Sequence, residues 1–163
     1  MLRSKKILPI ILAVVMLIVD QISKIAVKLW LPKPPQMTVV IPHIIDFQYV
    51  ENPGAAFGML SEHRWVFMFL TTVTLIFCIY IFFFKNTRSL ILNYSLMLII
   101  SGGIGNMIDR IFRGIVIDFI NFTFMEFAVF NVADCCVVIG GCLLILYMII
   151  DMINDAKSRK IGE

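Results

Sequence analysis

Four acidic residues lie between residues 105 and 134, and three of them are aspartates, Asp109, Asp118 and Asp134. When two carboxyl groups share a site, they cannot both be ionised at once, and one of them holds a proton at neutral pH. The ionised carboxylate can take a proton from a water that attacks a carbonyl carbon. The protonated partner can polarise that carbonyl and then protonate the leaving amine. If Asp118 folds back to meet Asp134, the pair could hydrolyse a peptide bond without a metal or a covalent intermediate.

The elements that must position these carboxyls are apolar. The chain has 163 residues, of which 60% are hydrophobic and 15% are charged, whereas a soluble domain has about 45–50% apolar residues. Runs without charge cover residues 7–19, 65–84, 89–108 and 135–150, and a helix needs about 20 residues to cross a membrane. The sequence predicts an all-α membrane protein, one domain over residues 1–163, with four transmembrane helices at about 7–31, 65–84, 89–110 and 128–150.

The connections between these helices differ in composition. Residues 37–50, MTVVIPHIIDFQYV, are rich in residues that favour strands, and a turn is expected at residues 52–54. A small β-rich extracytoplasmic cap is predicted at about 32–64 and 111–127. Basic residues favour the cytoplasm when they flank membrane spans, so both termini are predicted to be cytoplasmic. The first apolar run resembles a secretory signal, but no small-x-small cleavage site follows, and an uncleaved helix is expected.

Polar side chains of three helices converge on one layer of the membrane. A rise of about 1.5 Å per residue places Asp20 ~20 Å, and Asn106 and Asp134 ~24 Å, from the cytoplasmic side. Ionisable side chains are costly in hydrocarbon and must face a protein interior or a wet cavity. Helical spacing also gives each helix a single polar stripe: Asp20 and Lys24; Asn106, Asp109 and Arg110; Asn131 and Asp134.

Three classes of function fit this polar layer. The first is a hydrolase with a carboxylate pair. The second is an ion-coupled transporter in which Asp20, Lys24, Asp109 and Arg110 form a relay, although no internal repeat relates residues 1–84 to 85–163. The third is a non-catalytic assembly subunit whose polar stripes bind partner helices. No cofactor motif is recognised, no metal site is predicted at His43 and His63, and no nucleic-acid partner is expected.

Five blocks resemble, in order and spacing, those of the lipoprotein signal peptidase (signal peptidase II) family: DQISK at 20–24, ENPGAAFG at 51–58, GGIGNMIDR at 102–110, VIDFI at 116–120 and FNVAD at 130–134. The resemblance implies an intramembrane aspartyl protease, built from four helices and a small extracytoplasmic sheet. It places the catalytic pair at Asp118 and Asp134. The departures are small: Cys135 stands where the family often has Ser, and Ile117 where Val is common.

The resemblance also implies substrate-binding or structural roles at matching positions: Asp20, Lys24, Asn52, Gly54, Asn106, Arg110, Asn131 and Ala133. Asp109 is expected to pair locally with Arg110 or Arg113 and to order the site.

The partners that the family implies are diacylglyceryl-modified prolipoproteins and membrane lipids, with inhibition by the cyclic peptide globomycin. The expected location is the bacterial cytoplasmic membrane, with the active site near its extracytoplasmic face and cleavage just before the lipid-modified cysteine.

Overall fold

The fold combines four long helices with one small sheet. The computed structural model describes residues 4–31, 37–54, 64–85 and 89–161. Within these ranges the elements are α1 (Ser4–Trp30), β1 (Thr38–Ile41), β2 (Ile45–Asn52), α2 (Arg64–Phe84), α3 (Leu90–Phe112), β3 (Val116–Phe122) and α4 (Val132–Ile161). All four helices are long and apolar enough to cross a membrane, and the antiparallel sheet has the order β1-β2-β3. The predicted fold class, a four-helix membrane bundle with a small β-rich cap, is confirmed.

Some sequence predictions lie outside the described residues. They concern the first part of the cap at residues 32–36, residues 55–63 with the rest of the ENPGAAFG block and His63, and Arg3 and Arg88, two of the basic residues that flank the predicted spans.

Helix α3 is the centre of the bundle. In its most apolar window 67% of the residues are buried, against 22% or less in the other three helices. Helices α1, α2 and α4 pack around it and leave side chains such as Ile18, Phe69 and Val138 on the outside. An apolar exterior of this kind suits a bundle that lipid surrounds, because lipid tails are as apolar as these side chains.

Helices α3 and α4 approach each other closely because glycines stand at their contacts. A Cβ on Gly102 would lie 2.2 Å from the carbonyl oxygen of Ala133, and one on Gly140 would lie 2.9 Å from that of Ser95. Ser95 Oγ donates a hydrogen bond of 2.8 Å to Gly140 O. This approach brings the polar end of α3 against the first turn of α4, as small residues allow in membrane helices.

Strand β3 lies in the second part of the predicted cap, residues 111–127, where the sequence does not indicate an individual strand. The reason is its burial: residues 116–119 are all buried, so the alternation of apolar and polar residues that marks a half-exposed strand is missing. The strand packs on α1 through a cluster of Val27, Ile117 and Phe119.

Helix α4 begins at Val132 rather than at about residue 128, and it continues past residue 150 to Ile161. The residues before Val132 are extended. Phe130 N–H donates to Ile120 O at 3.0 Å, and Phe130 O accepts from Ile120 N–H at 2.8 Å. This bridge to β3 holds the chain out of the helix and fixes the point at which α4 starts.

Candidate active site

Strand pairing positions Asp118. The chain leaves α3 through Gly114, whose φ of 77° is in the left-handed region that glycine adopts readily. In the antiparallel register Val50 pairs with Asp118 and Asn52 with Val116, so Asn52 and Asp118 are diagonal neighbours on one face. Asn52 Nδ2 donates to Asp118 Oδ2 at 2.8 Å. The side chain of Asp118 is therefore held on the face of β3 opposite to Ile117 and Phe119, and only 2% of the residue is exposed.

A reciprocal helix cap positions Asp134 in the first turn of α4. Asp134 N–H donates to Asn131 Oδ1 at 3.0 Å, and Asn131 N–H donates to Asp134 Oδ2 at 3.1 Å. The other oxygen, Asp134 Oδ1, accepts from Asn106 Nδ2 of α3 at 2.7 Å. This arrangement is a capping box, and the dipole at the helix N-terminus favours the ionised carboxylate.

Asn131 brings the two aspartates together. Its main-chain N–H bonds Asp134, while its side-chain Nδ2 donates to Asp118 Oδ1 at 2.6 Å and to Asn106 Oδ1 at 3.2 Å. The Asn131 side chain is fully buried. One residue thus connects a carboxyl on the sheet with a carboxyl at the start of α4.

The environment of Asp118 makes its carboxyl a weaker acid than that of an ordinary aspartate. The pKa of Asp118 is raised from 3.8 to about 6. Burial is the largest cause, and repulsion by the negative charge of Asp134 adds to it. The hydrogen bonds from Asn52 and Asn131 and the positive charge of Lys24 act in the opposite direction. The pKa is raised because desolvation outweighs the donors that stabilise the carboxylate.

A buried ion cluster lies behind the two aspartates. Lys24 is fully buried, and its Nζ lies 3.0 Å from Asp20 Oδ2, 2.9 Å from Asp109 Oδ2 and 3.0 Å from Asn106 Oδ1. Asp109 also pairs with Arg113 one turn later on α3. Asp109 therefore has the local partner expected from the sequence, and it has a second partner on α1 that helical spacing does not reveal.

Asp20 and Ala133 connect α1 to the start of α4. Ala133 N–H donates to Asp20 Oδ1 at 2.9 Å, which satisfies one of the main-chain donors that a helix start leaves free. Ala133 is buried, with 1% of its surface exposed. In the structure it makes a packing contact between helices, and its substrate-binding or structural role stays a prediction.

Arg110 ties the end of the sheet to α3. Its Nη2 donates to Gly54 O at 3.1 Å, and its guanidinium lies 5.7 Å from the ring centre of Phe67. Gly54 N–H in turn donates to Asn52 Oδ1 at 2.9 Å. Arg110 therefore supports the turn that carries Asn52, and with it the contact between Asn52 and Asp118.

Two grooves reach Asp134 from the apolar surface. The first, of about 340 Å³, runs between α2, α3 and α4, and it has Asn106 and Arg110 at its polar end beside Asp134. The second, of about 580 Å³, is walled mainly by apolar side chains, including Phe122, Phe127, Phe130, Val138 and Ile139. A smaller pocket of about 210 Å³ reaches Asp118 from the side of β2. Asp134 is thus accessible from grooves on the apolar surface, and Asp118 from the pocket beside β2.

Gln21 is a residue of the site that no sequence pattern indicates. Its Nε2 donates to Asp20 Oδ2 at 3.0 Å and to Gly105 O at 3.2 Å, and its Oε1 accepts from Arg113 at 3.4 Å. No spacing on α1 singles out Gln21, since two of its partners lie on and just after α3. In contrast, the capping box of Asn131 and Asp134 has a signal in the sequence, the N-x-x-D spacing that precedes an apolar run.

Comparisons with known proteins agree with the resemblance. The family model for signal peptidase (SPase) II matches residues 12–150. The lipoprotein signal peptidase of Symbiobacterium thermophilum is 39% identical over 145 residues, which are 88% of this chain and 95% of the relative. That of Clostridium tetani is 38% identical over 158 residues, covering 93% and 97%. Two solved structures of a bacterial membrane enzyme are 32% identical. One superposes with a TM-score of 0.84 over 90% of both chains, and the other with 0.78 over 86% of this chain and 91% of that one.

Proposed function

Because this chain belongs to the signal peptidase II family and is a protease that removes signal peptides from prolipoproteins, we propose that Asp118 and Asp134 are its catalytic pair. The observation that carries the proposal is the position of Asn131, which bonds Asp118 through its side chain and Asp134 through its main chain. Both carboxyls are thereby held in one site, and lipid-facing grooves reach this site at Asp134. The transporter and assembly-subunit hypotheses are set aside, since the family is a family of proteases.

The two carboxyls divide the acid and base roles. Asp134, at the positive end of α4, is the ionised base that takes a proton from water as the water oxygen attacks the scissile carbonyl carbon. Asp118, whose pKa is raised to about 6, polarises the carbonyl oxygen when it is in its protonated form. When the tetrahedral intermediate collapses, the C–N bond breaks and the proton goes to the leaving amine. Neither a metal nor a covalent enzyme intermediate is required.

The substrate is a diacylglyceryl-modified prolipoprotein, cut on the amino-terminal side of the modified cysteine. Both the signal helix and the acyl chains of such a substrate are apolar, and they can approach the grooves laterally from membrane lipid. The apolar walls also exclude bulk water, which strengthens the electrostatic interactions of the carboxyl pair. Globomycin-like cyclic peptides are expected to inhibit by occupying the same site.

The active site lies near the extracytoplasmic face of the bacterial cytoplasmic membrane, and both termini are cytoplasmic. Lys6 at the start of α1 bonds the carbonyl of Phe82 at the end of α2, so these two helix ends share one side of the bundle. That side carries the basic residues Lys5, Lys6 and Lys85. Because basic residues near the ends of membrane spans favour the cytoplasm, this side is the cytoplasmic one. A reporter enzyme that is active only in the cytoplasm should therefore be active when fused after Glu163. An inactive fusion would contradict this topology and indicate the opposite orientation.

The test is cleavage of a diacylglyceryl-modified prolipoprotein by the purified protein in detergent. Wild type is expected to release the signal peptide, and Asp118→Asn and Asp134→Asn are expected to lose activity while they remain folded. Asp46→Asn is the matched control, because Asp46 lies in the same sheet and pairs with Asn121 away from the site. Cleavage by either active-site variant would remove that aspartate from the catalytic pair, and loss of activity in Asp46→Asn would show that the sheet tolerates no such change.

A further inference from the structure

Three asparagine amides face the two carboxyls. Asn52 and Asn131 donate to Asp118, and Asn106 donates to Asp134, each through its Nδ2. An amide has a donor end and an acceptor end, and a rotation of 180° exchanges them. A reversed amide would place its oxygen against the carboxylate, which removes a donor and adds repulsion. The orientation of these amides therefore matters to the site.

A group that can only donate holds each amide in its present orientation. Asn52 Oδ1 accepts from Gly54 N–H at 2.9 Å, and Asn131 Oδ1 accepts from Asp134 N–H at 3.0 Å. These two donors belong to the main chain. Asn106 Oδ1 accepts from the Lys24 ammonium at 3.0 Å and from Asn131 Nδ2 at 3.2 Å. Lys24 is thus the charged donor to these amides, and it lies closer to Asn106 Oδ1 than the Asn131 amide does.

The ammonium of Lys24 is itself fixed. It carries three N–H donors and has no acceptor, and three oxygens surround it: Asp20 Oδ2 at 3.0 Å, Asp109 Oδ2 at 2.9 Å and Asn106 Oδ1. The side chain has no exposed surface, so water cannot replace these partners. A lysine held in this way keeps one donor directed at Asn106.

We propose that Lys24 is a positioning residue for proteolysis, which holds the Asn106 amide in the orientation that donates to Asp134 Oδ1. The proposal rests on the catalytic role of Asp134 proposed above. Lys24 does not touch the reacting atoms, and it lines neither groove that reaches Asp134. Its loss should therefore lower kcat and leave KM nearly unchanged.

The test is a double-mutant cycle on cleavage of a diacylglyceryl-modified prolipoprotein, measured with enzyme in excess for the slow variants. Lys24→Met, which removes the ammonium, is expected to lower kcat by at least about tenfold in the wild-type background. In the Asn106→Ala background the same change is expected to lower kcat by less than about twofold, because no amide remains to be oriented. An equal loss in both backgrounds would overturn the proposal, since Lys24 would then act only through Asp20 and Asp109.

Lys24→Met leaves the Asp20 carboxylate without its cation, and such a variant can fail to fold. In that case the cycle is repeated in an Asp20→Asn background, in which one charge of each sign has been removed, while Asp109 keeps Arg113. If Lys24→Met does not fold in this background either, Lys24 is required for folding and the proposal is overturned.

Failure of the proposed catalytic pair is distinguishable from failure of this proposal. If Asp134→Asn still cleaves the same substrate, the catalytic pair itself is wrong. If Asp134→Asn is inactive and the cycle is additive, only the positioning role of Lys24 fails.

Discussion

Asn131 Nδ2 lies 2.6 Å from Asp118 Oδ1, although Asp118 is in the middle of strand β3 and Asn131 caps helix α4. This contact joins the sheet to the helix bundle beside the carboxyl groups of Asp118 and Asp134. The same asparagine therefore has two separable tasks, a helix cap made by its Oδ1 and a contact with Asp118 made by its Nδ2. A substitution that keeps one task and removes the other can tell them apart.

Asn131→Ser should inactivate the enzyme while the cap is kept. Serine caps helices about as well as asparagine, but it lacks the amide that donates to Asp118. We expect cleavage to fall by about 10²-fold or more, and the free energy of unfolding to fall by about 1–3 kcal/mol because a buried acceptor loses its donor. Prolipoprotein cleavage and thermal unfolding in detergent measure the two effects.

The control for this variant is Ser89→Ala. Ser89 Oγ caps α3 by accepting from Leu92 N–H, and its loss should cost about 0.5–2 kcal/mol of stability. Activity should stay near that of wild type, because Ser89 is far along α3 from Asn106. Equal activities of Asn131→Ser and wild type would contradict the role of the amide.

Gly105→Ala should destabilise the protein. A Cβ at this position would lie 2.7 Å from Asp20 Oδ2 and 3.2 Å from the Cβ of Ala133, in a cluster whose partners are fixed by hydrogen bonds. We expect a loss of about 1–3 kcal/mol, as for other overpacked sites. Gly141→Ala is the matched control, since a Cβ there meets nothing within 4 Å, and alanine favours the helix by up to about 1 kcal/mol. In thermal unfolding in detergent, Gly105→Ala should melt below wild type and Gly141→Ala above it.

The raised pKa of Asp118 predicts the direction of a pH effect on stability. Between the ordinary pKa of 3.8 and the folded-state pKa of about 6, the folded protein binds more protons at Asp118 than the unfolded chain does. The contribution of Asp118 to stability is therefore greatest below pH 3.8 and is lost as pH rises through about 6, by up to about 3 kcal/mol.

Asp118→Asn cannot titrate and should lack this component. Melting temperatures of wild type and Asp118→Asn are measured from pH 4 to pH 7. The melting temperature of wild type, relative to that of Asp118→Asn, should fall as pH rises. Parallel curves for the two proteins would contradict the raised pKa.

Arg110→Lys should weaken catalysis although the charge is kept. Lysine lacks the planar fork that lets Arg110 reach Gly54 O while it lies over Phe67. The turn that carries Asn52 would lose its support, and we expect kcat/KM to fall by about tenfold, equivalent to about 1.4 kcal/mol. The control is Arg64→Lys, another arginine stacked on an aromatic ring, Trp65, which should change kcat/KM by less than about twofold. Similar losses in the two variants would argue for a general effect of arginine replacement.

Much of the architecture is determined by local sequence. Apolar runs of membrane-spanning length and a constant helical rise suffice to predict four helices and to place Asp20, Asn106 and Asp134 at similar depth, since both arguments need only neighbours along one helix. The spacing of Asp20 and Lys24 likewise indicates their pair, which the structure contains. Asp118 lies outside the predicted spans, so the depth argument does not identify it. The resemblance of the sequence blocks to the family does.

The tertiary structure decided how these residues meet. Strand β3 is buried throughout its first four residues, so its period is hidden in the sequence, and its register with β2 sets the contact between Asn52 and Asp118. The bridge of Phe130 to Ile120 delays the start of α4 and makes Asn131 its cap. Hydrogen bonds between distant segments also orient the amides around the carboxyls. The depth of the polar residues follows from the rise along single helices. The approach of Asp118 to Asp134 through Asn131 depends on contacts between segments that only the folded chain brings together.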